Sequence, residues 1–362
     1  MTLPLEHVTV VDLSRMLPGA VLARQLLDLG ARVIKVEEPG IGDPMRSLPP
    51  LVDGVGAGFA WFLAGAESVA LDLADRGDAT VVRRLARRAD VVVESYRPGT
   101  VERWDLGEDR LRATNPGLVW CSLSAFGRDG GDRIGHDLNF VATSGALEML
   151  GGDVPGLQLA DVGAGLLAAS AILAALLERG RTGRGRRVDQ PLAGGVAPFM
   201  AWAWVEDAAG AEGDRPVRSL LNGGCPAYRL YGCSDGAQLA VAALEPKLWL
   251  ALVNALGLPE LAGAGLDVGA DGEAATARLA SRFAERPRDA WIADPAFAGL
   301  PMSPVHGVAA ARTEPTLELA GVLRDGRPVP WISSFSPPAG GRAPQLGADT
   351  ESIRAEVGDT LS

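Results

Sequence analysis

The chain has 362 residues, 47% of them hydrophobic and 22% charged, with 34 Lys or Arg against 45 Asp or Glu and a formal net charge of −11. That length suggests two domains and is ample for a sizeable core. The acidity excludes a protein that tracks a nucleic-acid backbone, which needs a broad basic face, and opposes binding to anionic membranes. A phosphate-bearing ligand must therefore be held by a local cluster of basic groups, nearly all of them arginine, since only Lys35 and Lys247 are lysine. Cys121, Cys225 and Cys233 are odd in number and widely spaced, which fits neither a disulfide framework nor a structural zinc site. The N-terminus carries Glu6 and lacks a basic segment followed by a long apolar one, so it does not read as a signal peptide. The longest apolar run, Val162 to Leu177, is about 16 residues, short of the ~18–20 that span a bilayer. It reads as a core helix, and the chain as a reduced, cytoplasmic protein.

In chain order, residues 8–13 (VTVVDL) form a β-branched apolar run. Helical spacing follows from Gly19 to Leu29, with Gly30 as a stop, and then the strand-like 31–37 (ARVIKVE). Strand, helix, strand is a βαβ unit and implies a parallel sheet with helices on its faces. The alternation continues through 68–73, a helix over Ala79–Arg88, the buried strand 90–96, a helical stretch Thr100–Leu106 and the strand 117–126. Loop 127–134 leads into a helix over 135–152, and a long Ala-rich helix starts at Asp161 and ends near Gly180. Residues 181–192 read as a basic turn, followed by a helix through Trp202 and Trp204.

This pattern predicts an α/β fold: a Rossmann-like large domain over 1–205, a linker over 206–220, a smaller α+β domain over 221–315 and a C-terminal return over 316–362. The small domain opens on a hairpin over 227–244 with Ser234-Asp235-Gly236 as its turn, followed by helical patterns near Trp249–Leu256 and Ala274–Phe283. The tail after Trp331 is rich in Pro and Gly and closes on a short helix near Glu351–Val357. The first βα turn, SRMLPGA, has Gly19 alone where a dinucleotide fingerprint needs GxGxxG, and no GxxxxGK[ST] occurs. Nicotinamide, flavin and P-loop chemistry are disfavoured.

Three histidines can be weighed one by one. His7 precedes the first strand and reads as a surface residue, and His306 lies in a loop of the small domain without an acidic neighbour in sequence. His136 follows a Gly-rich loop at the start of a helix, where it either caps and packs or serves as a general acid/base. Asp161, directly before the apolar stretch, reads on local sequence as an N-cap. Glu245, between a strand and a helix, reads as a cap or a solvated side chain.

These residues carry a resemblance that runs over almost the whole chain. VVDLSRMLPGA (10–20), LLDLGARVIKVEEPGIGDPMR (26–46), SVALDLAD (68–75), DVVVESYRPGTVERWDLG (90–107), GHDLNF (135–140), LADVGAGLLAA (159–169), GRGRRVDQPLAGG (183–195) and DGAQLAVAALEPKLW (235–249) occur in the order seen in class III CoA-transferases and α-methylacyl-CoA racemases, the CaiB/BaiF-like group. Gly135-His136-Asp137-Leu138-Asn139-Phe140 is similar to the racemase branch. The resemblance implies His136 and Asp161 as the catalytic acid/base pair, with Glu245 orienting His136. It implies a CoA arm held by Arg46, Tyr96, Arg97 and Arg103, with Gly135, Asp137 and Asn139 beside it, no metal and no separate cofactor. It further implies an intertwined homodimer and an acyl-CoA substrate. Two departures stand out: a basic cluster of the family is replaced by Leu63-Ala64-Gly65-Ala66-Glu67, and a position often basic in racemases is Glu38. They raise the alternative of an acyl-phosphopantetheine thioester on a carrier protein. Acyl transfer through Asp161 as nucleophile, or a non-catalytic paralogue, are the competing readings.

Overall fold

A computed structural model describes residues 3–210, 219–329, 331 and 342–358. The chain divides into two compact units, Met1–Ala209 with Leu319–Ser362, and Gly210–Glu318.

The first unit is built on β1 (Thr9–Leu13), β2 (Arg32–Glu37), β3 (Glu67–Ala70), β4 (Val91–Glu94), β5 (Val119–Ser124) and β6 (Arg187–Pro191). They form one sheet in the order β3-β2-β1-β4-β5-β6, with every neighbouring pair parallel. Val10, Val33, Val91 and Cys121 face one apolar layer, and Val11, Ile34, Val92 and Trp120 face the other. Burial on both faces is why these strands read as continuous apolar runs rather than alternating ones. The order reverses at β1, so the carboxyl ends of β1 and β4 flank the crevice where open α/β sheets bind ligands.

The helices that matter for that crevice are α1 (Met16–Asp28), α2 (Arg76–Ala86), α3 (Asp137–Thr143) and α4 (Leu159–Thr182). The long α4 packs along α1, burying Ala168, Ala169, Ile172 and Ala175 in the same layer as Leu22 and Leu26. Small residues permit the close approach: a Cβ on Gly165 would lie 2.6 Å from Val21 Cγ1 and 2.7 Å from the Pro18 carbonyl oxygen. With 24 residues, of which an 18-residue window has a mean hydropathy of 2.0, α4 is long and apolar enough to cross a membrane by length and composition alone. It exceeds the 16-residue apolar run because a turn at each end carries polar groups. Gly19 has a similar role, since a Cβ there would meet Ser14 Oγ at 1.8 Å. The single glycine of the first βα turn thus serves helix–strand packing.

Three expectations from the sequence are corrected. Residues 187–191, read as part of a turn, form the edge strand β6, paired from Trp120↔Arg187 to Ser124↔Pro191. Its polar pattern hides it, because Arg187 finds its partner at a distance in Glu108, 2.7 Å away. Pro191 is tolerated at the end of an edge strand. The single helix expected over 135–152 is two, α3 and a turn at Ala146–Met149, broken where Gly145 takes φ +86°. Asp161 is not an N-cap: α4 begins two residues earlier, and Gln158 stands at the N-cap position without a side-chain hydrogen bond to the helix.

The free edge of β3 is covered by the C-terminal segment. Asp349 Oδ2 accepts the Ser68 N–H at 2.8 Å and Thr350 Oγ1 accepts the Ala70 N–H at 3.0 Å, at the start of α7 (Thr350–Glu356). Side chains that answer edge N–H groups remove a pairing template. In the second unit, the hairpin β7 (Tyr228–Gly232) and β8 (Gln238–Ala242) turns at Gly236 (φ +78°), and β9 (Met302–Pro304) pairs with β8. Helices α5 (Pro246–Ala255) and α6 (Ala270–Phe283) complete a core of Tyr231, Trp249, Leu252, Leu279, Phe283 and Trp291. Residues 211–218 of the expected linker and 332–341 of the Pro/Gly-rich tail lie outside the described residues.

A Cβ on Gly195 would fall 1.9 Å from the Ala160 carbonyl oxygen, at the turn of α4 that carries Asp161. Overpacking of this kind costs about 1–3 kcal/mol. Gly195→Ala is expected to lower the thermal unfolding midpoint measurably, whereas Gly194→Ala, whose nearest atom is 3.5 Å away, is expected to be close to neutral.

Candidate active site

The crevice at the carboxyl edge of the sheet is a cleft whose walls come from four places. Arg15, Met16 and Pro18 follow β1; Ser95, Tyr96, Arg97 and Pro98 follow β4; Ser124 ends β5 and Ala125 and Phe126 follow it; Gly131 and Arg133 to His136 lead into α3. Asp161 projects into it from the first turn of α4. Met16 is held at φ +67°, its N–H 3.2 Å from Asp43 Oδ2, and the Arg15 N–H donates to Ser95 Oγ at 2.8 Å. A non-glycine residue in the left-handed region, fixed on both sides, marks a turn whose shape is imposed by its surroundings.

His136 and Asp161 share this cleft because Asp137 joins their elements. One carboxylate oxygen of Asp137 accepts the N–H groups of Ala160 (2.7 Å) and Asp161 (3.0 Å), so α4 is capped by a residue more than 20 positions earlier. The His136 backbone is fixed in turn by Asn139, whose Oδ1 accepts its N–H at 3.0 Å. Gly135 is required at its position: a Cβ would meet Phe140 Cε1 at 2.6 Å. Phe140 is buried and stacks edge-on against Phe126, 5.3 Å between centroids.

Burial pushes the Asp161 carboxyl up to about 6; the nearby Asp137 carboxylate adds to the rise and the His136 imidazole opposes it. A second carboxyl stands behind the cleft. Burial pushes Glu94, at the end of β4, up to about 7 against hydrogen bonds from Ser122 Oγ and the Tyr96 N–H (2.8 Å). Glu94 thereby fixes the turn that presents Tyr96 and Arg97. Sequence reading passed it over; a carboxyl closing an all-valine strand was the available signal.

Beneath the β1 and β2 ends lies a set of buried charges. Lys35, 1% exposed, sits 3.2 Å from Asp12 and 3.4 Å from Asp43 and donates to the Ser14 carbonyl. Burial opposes its charge, but the two carboxylates outweigh it and hold its pKa above the ordinary value. Arg46 makes a two-pronged pair with Glu37 (2.6 and 2.7 Å), donates to the Pro344 carbonyl at 3.0 Å and lies over the Phe59 ring at 4.0 Å.

The structure therefore sorts the residues singled out by sequence. Tyr96, Arg97, Gly135, His136 and Asp161 line one cleft. Asp137 and Asn139 stand behind it as the groups that fix His136 and Asp161. Arg46 is engaged with Glu37 and only 10% exposed, and Arg103 bonds to Thr100 Oγ1 at 3.0 Å; neither lines the cleft. Glu245 belongs to the second unit, where it is exposed and precedes α5. The cleft also includes Arg15, Arg133 and Ser124, which only the tertiary structure reveals.

A doubly wound parallel sheet with a carboxyl and an imidazole gathered at its switch point defines a class of α/β enzyme domain. The model of CoA-transferase family III matches residues 5–350, and the chain belongs to that family. The alpha-methylacyl-CoA racemase of Mus musculus is 31% identical over 370 residues, 98% of this chain and 93% of that protein. The protein of the same name from Homo sapiens is 36% identical over 262 residues, 70% of this chain and 65% of its own length. The succinyl-CoA:glutarate CoA-transferase of Mus musculus is 33% identical over 71% of this chain and 61% of that protein. Among solved structures, a CaiB/BaiF family protein from Brucella suis superposes with a TM-score of 0.84 at 30% identity, covering 99% of this chain and all of that one. Racemases and transferases are thus both relatives.

The raised Asp161 pKa has a sign that can be checked. Ionising this carboxyl in the fold is harder than in the unfolded chain, so its contribution favours the fold below about pH 4 and is lost as pH rises from about 4 to 6. Asp161→Asn is expected to stabilise the protein at pH 7.5 by on the order of 1 kcal/mol and to leave stability near pH 4 unchanged, read by denaturant unfolding at the two pH values. Asp137→Asn keeps an oxygen to cap α4 while removing the like charge. It is expected to move the Asp161 titration down toward ordinary carboxylate values, read by carbon NMR of the labelled carboxyl.

Proposed function

We propose that the protein is a racemase or epimerase that inverts the α-carbon of a 2-methyl-branched acyl thioester, an acyl-CoA, by proton transfer between two bases through an enolate. The observation that carries this reading is the pairing of His136 with Asp161 across one cleft, with the Asp161 carboxyl pushed up to about 6. Inversion needs a group on each face of the carbon, one basic and one carrying a proton, and the two exchange roles with the hand of the substrate. At pH 7 an ordinary aspartate is almost never protonated, whereas a pKa near 6 leaves on the order of a tenth of molecules with the proton in place. In one direction neutral His136 takes the α-proton and protonated Asp161 returns one to the opposite face; in the other direction the path reverses.

The developing enolate needs donors already in position. The Asp161 N–H is taken by Asp137, which leaves the first-turn N–H groups of α3, at Asp137 and Leu138, as the donors in this reading. Glu245 is assigned the orientation of His136. The route calls for no metal and no separate cofactor. Assembly as a homodimer is supported by the apolar face of residues 197–209, where Phe199, Trp202 and Val205 are 52%, 63% and 67% exposed.

Acyl transfer with Asp161 as nucleophile is the second reading, favoured by the transferases among the relatives. Transfer through Asp161 needs no second acid/base group in the cleft, so the His136 imidazole beside it favours proton handling instead. A 2-methylacyl-CoA incubated in D₂O is expected to lose its α-proton signal in proton NMR. His136→Ala and Asp161→Ala are each expected to slow that exchange by about 10²–10⁴. Absence of exchange together with an enzyme-bound acyl group trapped by hydroxylamine would establish transfer in place of racemisation.

A further inference from the structure

The cleft that holds His136 and Asp161 shares part of its wall with a second one. Arg15 and Tyr96 line both, and beyond them the second cleft runs over the carboxyl ends of β1 and β2 to Leu71–Ala74, just past β3, with Trp104 on its rim. A thioester whose α-carbon lies between His136 and Asp161 has its thiol arm to accommodate. The wall formed by Arg15 and Tyr96 leads that arm along the sheet edge toward the second cleft. The charges along this route change sign. The first cleft carries Arg15, Arg97 and Arg133, which suit a phosphate. In the second, the described lining offers Glu37, Glu38, Asp43 and Asp72 against Arg15 alone.

Two of these carboxylates are neutralised from beneath, Glu37 by Arg46 and Asp43 by Lys35. Glu38 is 52% exposed and, among the described residues, reaches only Arg15, at 3.7 Å, which is itself 43% exposed. Asp72 is exposed and accepts the Ala74 N–H at 2.9 Å, with no cation at ion-pair distance among the described residues. CoA ends in an adenosine whose 3′-phosphate brings nearly two negative charges. Glu38 and Asp72 oppose that group, while the arginines of the first cleft accept the phosphate that ends the pantetheine arm.

We infer that the site selects a pantetheine thioester lacking the 3′-phosphate of CoA, and that Glu38 and Asp72 are the specificity-determining residues. This rests on the α-proton chemistry proposed above and departs from it in the thiol carrier: the CoA ester is a substrate, but no better a one than its 3′-dephospho form. The test compares α-proton exchange in D₂O for 2-methylacyl esters of CoA, 3′-dephospho-CoA and 4′-phosphopantetheine. The CoA ester is expected to show a kcat/KM no higher than the 3′-dephospho ester. The ratio of the two is expected to rise with added salt, which screens repulsion between exposed charges, and to rise about tenfold in Glu38→Arg. A tenfold or greater preference of the unaltered protein for the CoA ester, or a ratio that Glu38→Arg leaves unmoved, would overturn the inference. Calorimetry with the free thiols CoA and 3′-dephospho-CoA separates the two levels of the argument. If no ester exchanges but the 3′-dephospho thiol binds at least as tightly as CoA, the racemase reading fails and the selectivity stands. If CoA binds tenfold tighter, or neither thiol binds, the selectivity is wrong.

Discussion

The Asp137 carboxylate is the contact on which the site depends. A long apolar helix leaves its first N–H groups without acceptors, and here they are answered from the start of another helix. The same oxygen that caps α4 thereby ties the residue after His136 to Asp161, the second acid/base group of the proposed mechanism. Because Asp137 is also a negative charge next to Asp161, it raises the Asp161 pKa while holding its backbone. Structural support and tuning of the proton inventory come from one side chain.

A second constraint is the treatment of charge at the sheet's switch point. Lys35, Asp12, Asp43, Glu37 and Arg46 are all largely buried at the ends of β1 and β2, and each is paired. Pairs of this kind add little net stability, because desolvation consumes most of their attraction. Their effect is on shape: they fix the 12–16 turn through Ser14 and Met16 and brace the 42–47 segment against β2. Glu38 and Asp72 stand outside this balanced set, at the surface. Glu38 meets only the half-exposed Arg15 among the described residues and Asp72 meets no cation there, so their charge acts on what approaches the cleft rather than on the fold.

Legibility in the sequence followed the kind of force involved. Strands β1, β2, β4 and β5 announced themselves as apolar runs because both sheet faces are buried. β6 did not, because an edge strand held by Arg187–Glu108 carries no hydrophobic signature. His136 and Asp161 were legible through the resemblance and through their positions at helix starts. Arg15, Ser124 and Glu94 were not, because their roles come from neighbours that lie far away in sequence. Arg46 shows the reverse error: a basic residue in a suggestive motif is already engaged by Glu37.

By itself, the sequence determined the α/β class, the breaks between elements and the small set of groups able to move a proton. These depend on local quantities: apolar periodicity, glycine stops and residue chemistry. Tertiary structure alone decided which of those groups meet. The cap of Asp137 on α4, the closure of β6 onto β5 and the joining of two oppositely charged clefts through Arg15 and Tyr96 are contacts between distant segments. Their geometry is set by packing of the whole sheet and its helices, which no local pattern encodes.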